Sequence, residues 1–282
     1  MIDLTNLWNK VNEDREAYSD AGHVGVVTYQ ITNNYDWYTL PSLVSLLRHN
    51  YVDKIIIMTD ADELSYTVPS NVQIMNVKQI ASKYVSSKSP NYNFFASYIT
   101  LLRPSFCRIL KEDKIINFDA DTIINGNLQP FWEINLDGYY LAMVCETQVH
   151  RKLPQYTYPG KTTFNMGSTV MNLKAIREDN ADEKWRWLVN NVQLPCAEQD
   201  STILLFQDKI CPVNEVYNLS TQTISENSIL DVPVVIHYAG DSSKCYDDDY
   251  TDLFNKIYMD FYKLYIERYS GLTLKNGLPV GI

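Results

Sequence analysis

Short apolar runs alternate with longer stretches of helical periodicity along most of this chain. Leu4, Leu7, Trp8 and Val11 recur at helical spacing in an otherwise polar opening segment, which predicts a polar arm or helix over residues 1–22. Val24–Tyr29 predicts a strand, Gln30–Asp36 a polar turn, and Leu40, Leu43, Val44 and Leu47 the apolar face of a helix. Lys54–Met58, Val72–Val77, Ile115–Phe118 and Tyr139–Cys145 predict four more strands. Phe94–Leu110 has helical periodicity interrupted at Pro104, which has no backbone N–H to donate. Leu253, Phe254, Ile257, Tyr258, Phe261, Leu264 and Tyr265 form an apolar stripe, predicting a tail over 251–282 that docks on the core. Strands alternating with helices predict one α/β domain over 23–250, its central sheet mainly parallel and covered by helices on both faces. In such sheets ligands bind beyond the carboxyl ends of the strands, where the strand order reverses.

Charge and cysteine content narrow the partners. The 282 residues include 24 Lys and Arg against 34 Asp and Glu, a net charge of −10. No basic stripe is present to displace counterions from a nucleic acid, which excludes that partner class. A diphosphate-bearing substrate would need a divalent cation and a few placed lysines. The five cysteines are widely spaced and form no CxxC pair, so they are expected as reduced thiols rather than zinc ligands. The opening 20 residues lack the basic and apolar regions of a signal peptide. No apolar run approaches the roughly 20 residues that span a bilayer. The expected location is the cytoplasm, with peripheral attachment to a membrane surface left open.

Candidate chemistry follows the strand Ile115–Phe118, in Asp119-Ala120-Asp121. Residues two apart in extended chain place both carboxylates on one side. Two converging carboxylates need a cation or a shared proton between them. Hard oxygen donors suit Mg²⁺ or Mn²⁺, which bridge to diphosphate oxygens. On these three residues alone, a solvated turn in which one aspartate caps the next element is the competing reading.

The segment Phe118-Asp119-Ala120-Asp121-Thr122-Ile123-Ile124, with Asn127-Leu128 and Phe131-Trp132 downstream, resembles the DxD segment of glycosyltransferase family 8, the glycogenin and bacterial galactosyltransferase group. Three further blocks follow in that family's order. They are Phe164-Asn165-Met166-Gly167 with Met171-Asn172-Leu173, Glu198-Gln199-Asp200 with Leu204-Leu205-Phe206, and Ile236-His237-Tyr238-Ala239-Gly240 with Lys244. The resemblance implies a GT-A fold, a single Rossmann-like nucleotide-binding domain. It also implies metal-dependent, retaining transfer of a hexose from a UDP-sugar to a carbohydrate-bearing acceptor: a glycan, glycolipid or glycoprotein. His237 is implied as a third metal ligand beside Asp119 and Asp121, and an imidazole ligand favours Mn²⁺ over Mg²⁺. Tyr29, Thr32, Asn34 and Tyr35 are implied at the nucleotide, Asn165 at the donor, and Gly240 and Lys244 at the diphosphate. Glu198 and Gln199 are implied at the transferred sugar. An amide oxygen is a poor nucleophile, so Gln199 suits front-face transfer better than a covalent route.

The chain departs from the family pattern in four places, two of them Thr32, where Asp or Asn is usual, and Glu198, where Asp is usual. Thr100 stands where the family carries an arginine shortly after a tyrosine, here Tyr98, and Arg103 follows one helical turn on. Asp241, Ser242 and Ser243 separate Gly240 from Lys244, one residue more than usual, and Cys245-Tyr246 replaces the usual Pro-Trp. Two rival classes remain. A sugar-nucleotide pyrophosphorylase would need a glycine-rich phosphate loop after the first strand, yet Val24–Asn34 has no glycine beyond Gly25. A non-catalytic nucleotide-sugar-binding protein of the same fold is the other.

Overall fold

A computed structural model describes residues 1–32, 35–93, 98–146, 158–220, 232–239, 262–275 and 278–280. Its strands are β1 (Gly22–Gln30), β2 (Asn50–Thr59), β3 (Val72–Asn76), β4 (Lys114–Phe118), β5 (Thr122–Ile124), β6 (Leu141–Cys145), β7 (Phe164–Asn172), β8 (Ile210–Val213), β9 (Leu219–Ser220), β10 (Val235–His237), β11 (Thr273–Lys275) and β12 (Leu278–Val280). Seven of these form the main sheet in the order β3-β2-β1-β4-β7-β6-β8. β1 lies parallel to β2 and β4, β2 parallel to β3, and β6 parallel to β8. β7 is antiparallel to both its neighbours, β4 and β6. The sheet is therefore mostly parallel, as expected, with β7 reversed. β7 carries the Phe164-Asn165-Met166-Gly167 block, and the β6–β7 register shifts between Met143 and Val144, opposite that block.

The apolar runs account for the layering. On one face α1 (Thr5–Glu16) and α2 (Asp36–His49) bury Leu7, Trp8, Leu40, Leu43 and Val44 against Val27, Tyr29 and Phe118. Residues Lys78–Tyr84 form α3. A 3₁₀ turn, Thr100–Ser105, runs into α4 (Phe106–Ile109), and α5 (Gln129–Trp132) follows β5. Then come α6 (Leu173–Glu178), α7 (Ala181–Asn191) and α8 (Ala197–Phe206). The other face packs Phe106, Ile176, Trp185 and Ile203 against Ile56, Ile115, Met143 and Met171. Of the C-terminal stripe, Tyr265 is buried beside α1 and its hydroxyl donates to Asp14 at 2.7 Å. Leu253, Phe254, Ile257, Tyr258 and Phe261 lie outside the described residues. No helix among the described residues is long and apolar enough to cross a membrane.

From β1 the chain builds β2 and β3 to one side, then returns to place β4 on the other. The order thus reverses between β1 and β4. Their carboxyl ends, Gln30 and Phe118, mark where a ligand should bind.

Candidate active site

Beyond Phe118 the chain stays tied to the large sheet for one more residue, since the Asp119 N–H donates to the Gly167 carbonyl of β7 at 2.8 Å. It then leaves that sheet. β5 pairs antiparallel with β10, matching Thr122 to His237, and β10 also pairs with β9. The Tyr238 N–H continues the ladder by donating to the Asp121 carbonyl at 2.9 Å. This register carries His237 to the aspartates. Asp119, Asp121 and His237 each offer a ligand atom, and these atoms lie within 4.8 Å of one another. His237 Nε2 is 3.4 Å from Asp121 Oδ1 and 3.6 Å from Asp119 Oδ2.

The surrounding hydrogen bonds show that this donor set fits a cation. Asn165 Oδ1 accepts from the Gly167 N–H at 2.8 Å and from Asn218 Nδ2 at 2.9 Å. A backbone N–H can only donate, so this end of the amide is the oxygen. His237 Nδ1 lies 3.1 Å from the same oxygen and must therefore carry the imidazole proton. Nε2 is then the ring nitrogen left to face the two carboxylates, where a neutral imidazole would offer its lone pair to a hard divalent cation. Asn165 Nδ2 donates to Glu146 Oε1 at 3.0 Å. Asn165, expected at the donor, is buried with both ends of its amide engaged and orients the histidine.

Tyr29, expected at the nucleotide, has a side chain that is 0% exposed and packs beside Phe118. Burial holds its phenol well above the usual tyrosine range. The Thr122 hydroxyl donates to the Asp119 carbonyl at 2.9 Å, which makes Ser42 Oγ the donor to Thr122, and Tyr29 the donor to Ser42, each at 2.9 Å. Tyr29 thus begins a buried chain that ends on the backbone of Asp119. Thr32 and Tyr35 close a turn just beyond β1, the Tyr35 N–H donating to the Thr32 carbonyl at 2.9 Å. The Tyr35 ring is exposed and lies 5.5 Å from that of Tyr38. Asn34, Gly240 and Lys244 lie outside the described residues.

Arg103 occupies the site. Residues three apart in a 3₁₀ turn eclipse one another, so 100 and 103 share a face and Arg103 serves the face that Thr100 leaves without a cation. At 3% exposed, it donates from Nε to Gln30 Oε1 at 2.8 Å, from Nη1 to Glu198 Oε1 at 3.2 Å, and from Nη2 to Asp119 Oδ1. Burial opposes its charge, but Asp119 and Glu198 outweigh that effect and raise its pKa. Burial also holds the Glu198 carboxyl above its ordinary range, and the nearby Arg103 offsets this only in part. Glu198 and Gln199 sit in the first turn of α8, and Gln199 Oε1 accepts from the Met166 N–H at 3.1 Å. Asp200 accepts from the Cys196 N–H at 2.7 Å and fastens that helix start. Glu146, Asn218, Gln30 and Asn117 complete the surroundings. Nothing in the sequence periodicity marks them, since each is a polar residue whose partner is distant in the chain.

These acidic and polar groups gather at the sheet reversal. The family description "Glycosyl transferase family 8" matches residues 23–249, and the chain belongs to that family. It is 30% identical over 160 residues to a putative glycosyltransferase of Haemophilus influenzae, covering 52% of this chain and 48% of that protein. It is 27% identical over 183 residues to glycosyltransferase GlyB of Streptococcus pneumoniae, covering 60% and 43%. The chain spans about half the length of the curated relatives it matches. The structure of galactosyltransferase LgtC with donor and acceptor sugar analogues aligns at a TM-score of 0.66 and 17% identity, over 87% of this chain and 99% of that one. The fold is thus GT-A.

Proposed function

We propose that the chain is a retaining, metal-dependent hexosyltransferase that uses a UDP-sugar donor and a carbohydrate-bearing acceptor. The observation that carries this reading is the Asp119–Asp121–His237 cluster at the strand reversal, its histidine tautomer fixed by Asn165. These three residues would hold Mn²⁺, which an imidazole ligand favours over Mg²⁺. When bound, the cation supplies positive charge against the diphosphate of the leaving UDP.

Transfer breaks the bond from the anomeric carbon to the diphosphate oxygen. The acceptor oxygen bonds on the same face, and its proton passes to the departing diphosphate. Gln199, anchored at the Met166 N–H, offers the negative end of its amide dipole to the positive charge that develops at the anomeric carbon. Arg103 keeps Asp119 and Glu198 apart and oriented. Thr32, Asn34 and Tyr35 bind the nucleotide, and Lys244 contributes a point charge at the diphosphate.

Incubation with UDP-glucose, UDP-galactose and UDP-N-acetylglucosamine in Mn²⁺, followed by assay of released UDP and of the product's anomeric proton coupling, tests the reading. Release of UDP and an α-linked product are expected. A β-linked product, or full turnover in EDTA, would overturn it.

A further inference from the structure

Gln30 is the last residue of β1, at the strand reversal, and is 8% exposed. Every nitrogen of the Arg103 guanidinium has a different acceptor on a different element: Gln30 on β1, Glu198 on α8, and Asp119 beyond β4. A guanidinium only donates, so the Gln30 amide must turn its oxygen to Arg103 Nε and its nitrogen away. That nitrogen donates to Asn117 Oδ1, which also accepts from the Thr28 hydroxyl at 3.0 Å. Thr28 and Asn117 are paired residues of β1 and β4, so the row is built into the strand register at the reversal. A guanidinium held by two carboxylates alone is free to swing into a bidentate pair with one of them, the stronger geometry. Such a pair with Asp119 would engage both carboxylate oxygens and draw Oδ2 away from His237. The third bond, at Nε, blocks that swing.

We infer that Gln30 is a positioning residue of the transfer reaction, which, backed by Asn117 and Thr28, makes Arg103 divide its hydrogen bonds between Asp119 and Glu198. The inference rests on the glycosyltransferase reading of the site. It implies that Gln30 acts only through the Nε–H of Arg103.

A double-mutant cycle tests it. Gln30→Met keeps the length of the side chain and removes the acceptor, and is expected to lower kcat/KM by about tenfold, the scale of a small misplacement of reacting groups. Gln30→Glu keeps an acceptor for the Arg103 Nε–H but loses the donor to Asn117 Oδ1, and should recover only part of that loss. In an Arg103→Lys background, which has no Nε–H, Gln30→Met should cost nothing further. An equal loss in both backgrounds means a merely structural role and overturns the inference. Solvent exchange of the Arg103 Nε–H, followed by ¹⁵N NMR, gives a readout that needs no turnover: it should be slow in the wild type and fast in Gln30→Met. Unchanged exchange overturns the proposed route even if activity falls. A wild type that transfers no sugar removes the catalytic role together with the reading on which it rests, whereas the exchange rates still report whether Gln30 holds Arg103.

Discussion

The imidazole of His237 fills the space that a side chain on residue 167 would need. A β-carbon placed on Gly167 would stand 2.1 Å from His237 Cε1 and 2.2 Å from Nδ1. Gly167→Ala must therefore push the ring out of its bond to Asn165, and overpacking of this kind costs about 1–3 kcal/mol. The expected result is a folded protein, slightly less stable, with metal-stimulated turnover lowered by about 100-fold or more as one ligand leaves the set. Titration with Mn²⁺ checks this, and wild-type affinity in Gly167→Ala would contradict the location of His237.

Asp121→Ala removes a partly exposed carboxylate, so its effect on stability should be small. Binding of UDP in Mn²⁺ should weaken by about 10–100-fold and binding in EDTA should hardly change. Calorimetric titration under both conditions measures the difference. Equal weakening with and without the cation would mean that Asp121 serves the nucleotide directly.

Gln199→Ala should leave UDP affinity near the wild-type value, because UDP lacks the sugar that the amide would contact. Turnover should fall by about 10–10³-fold, the range for one polar group that stabilises developing charge. Lys244→Ala should weaken UDP binding as well. Wild-type turnover in Gln199→Ala would remove the first turn of α8 from the reaction.

Most strands were legible from the sequence because their apolar runs are local: Lys54–Met58 lies within β2, and Ile115–Phe118 within β4. What the sequence hides is pairing. Nothing in Val235–His237 says that it joins β5 rather than the large sheet, and the reversed direction of β7 is equally silent. The aspartates stood out by their spacing at the end of a strand, whereas His237 was found through motif order, which carries no geometry. A tyrosine near the end of a strand looks the same in the sequence whether its hydroxyl meets a ligand or, as for Tyr29, a buried serine. Arg103 was traceable because a shift of three residues preserves the face of a tight helical turn.

A pH effect is expected away from the site. The Tyr140 hydroxyl donates to Asp179 Oδ2 at 2.7 Å, and burial, reinforced by that carboxylate, pushes its pKa up to about 12. The folded state thus favours the neutral phenol. The corresponding stability is fully present below the ordinary tyrosine value of about 10 and is lost as pH rises toward 12. Tyr140→Phe should be less stable than the wild type at pH 8 by about 1 kcal/mol. That deficit should shrink at pH 11. Urea unfolding at the two pH values measures it, and a constant deficit would refute the account.

The sheet that delivers His237 is small, with three residues each in β5 and β10 and two in β9. So few backbone bonds resist local opening weakly compared with the seven-stranded sheet beside them. If β10 peels away, the histidine departs while Asp119 stays fastened to β7 through its own N–H. Whatever the aspartates and His237 grip together is therefore coupled to a closed β10, and each favours the other by mass action. Occupancy of the centre and protection of the Tyr238 amide from solvent exchange should rise in step, so that the centre works as a latch on the end of its own fold.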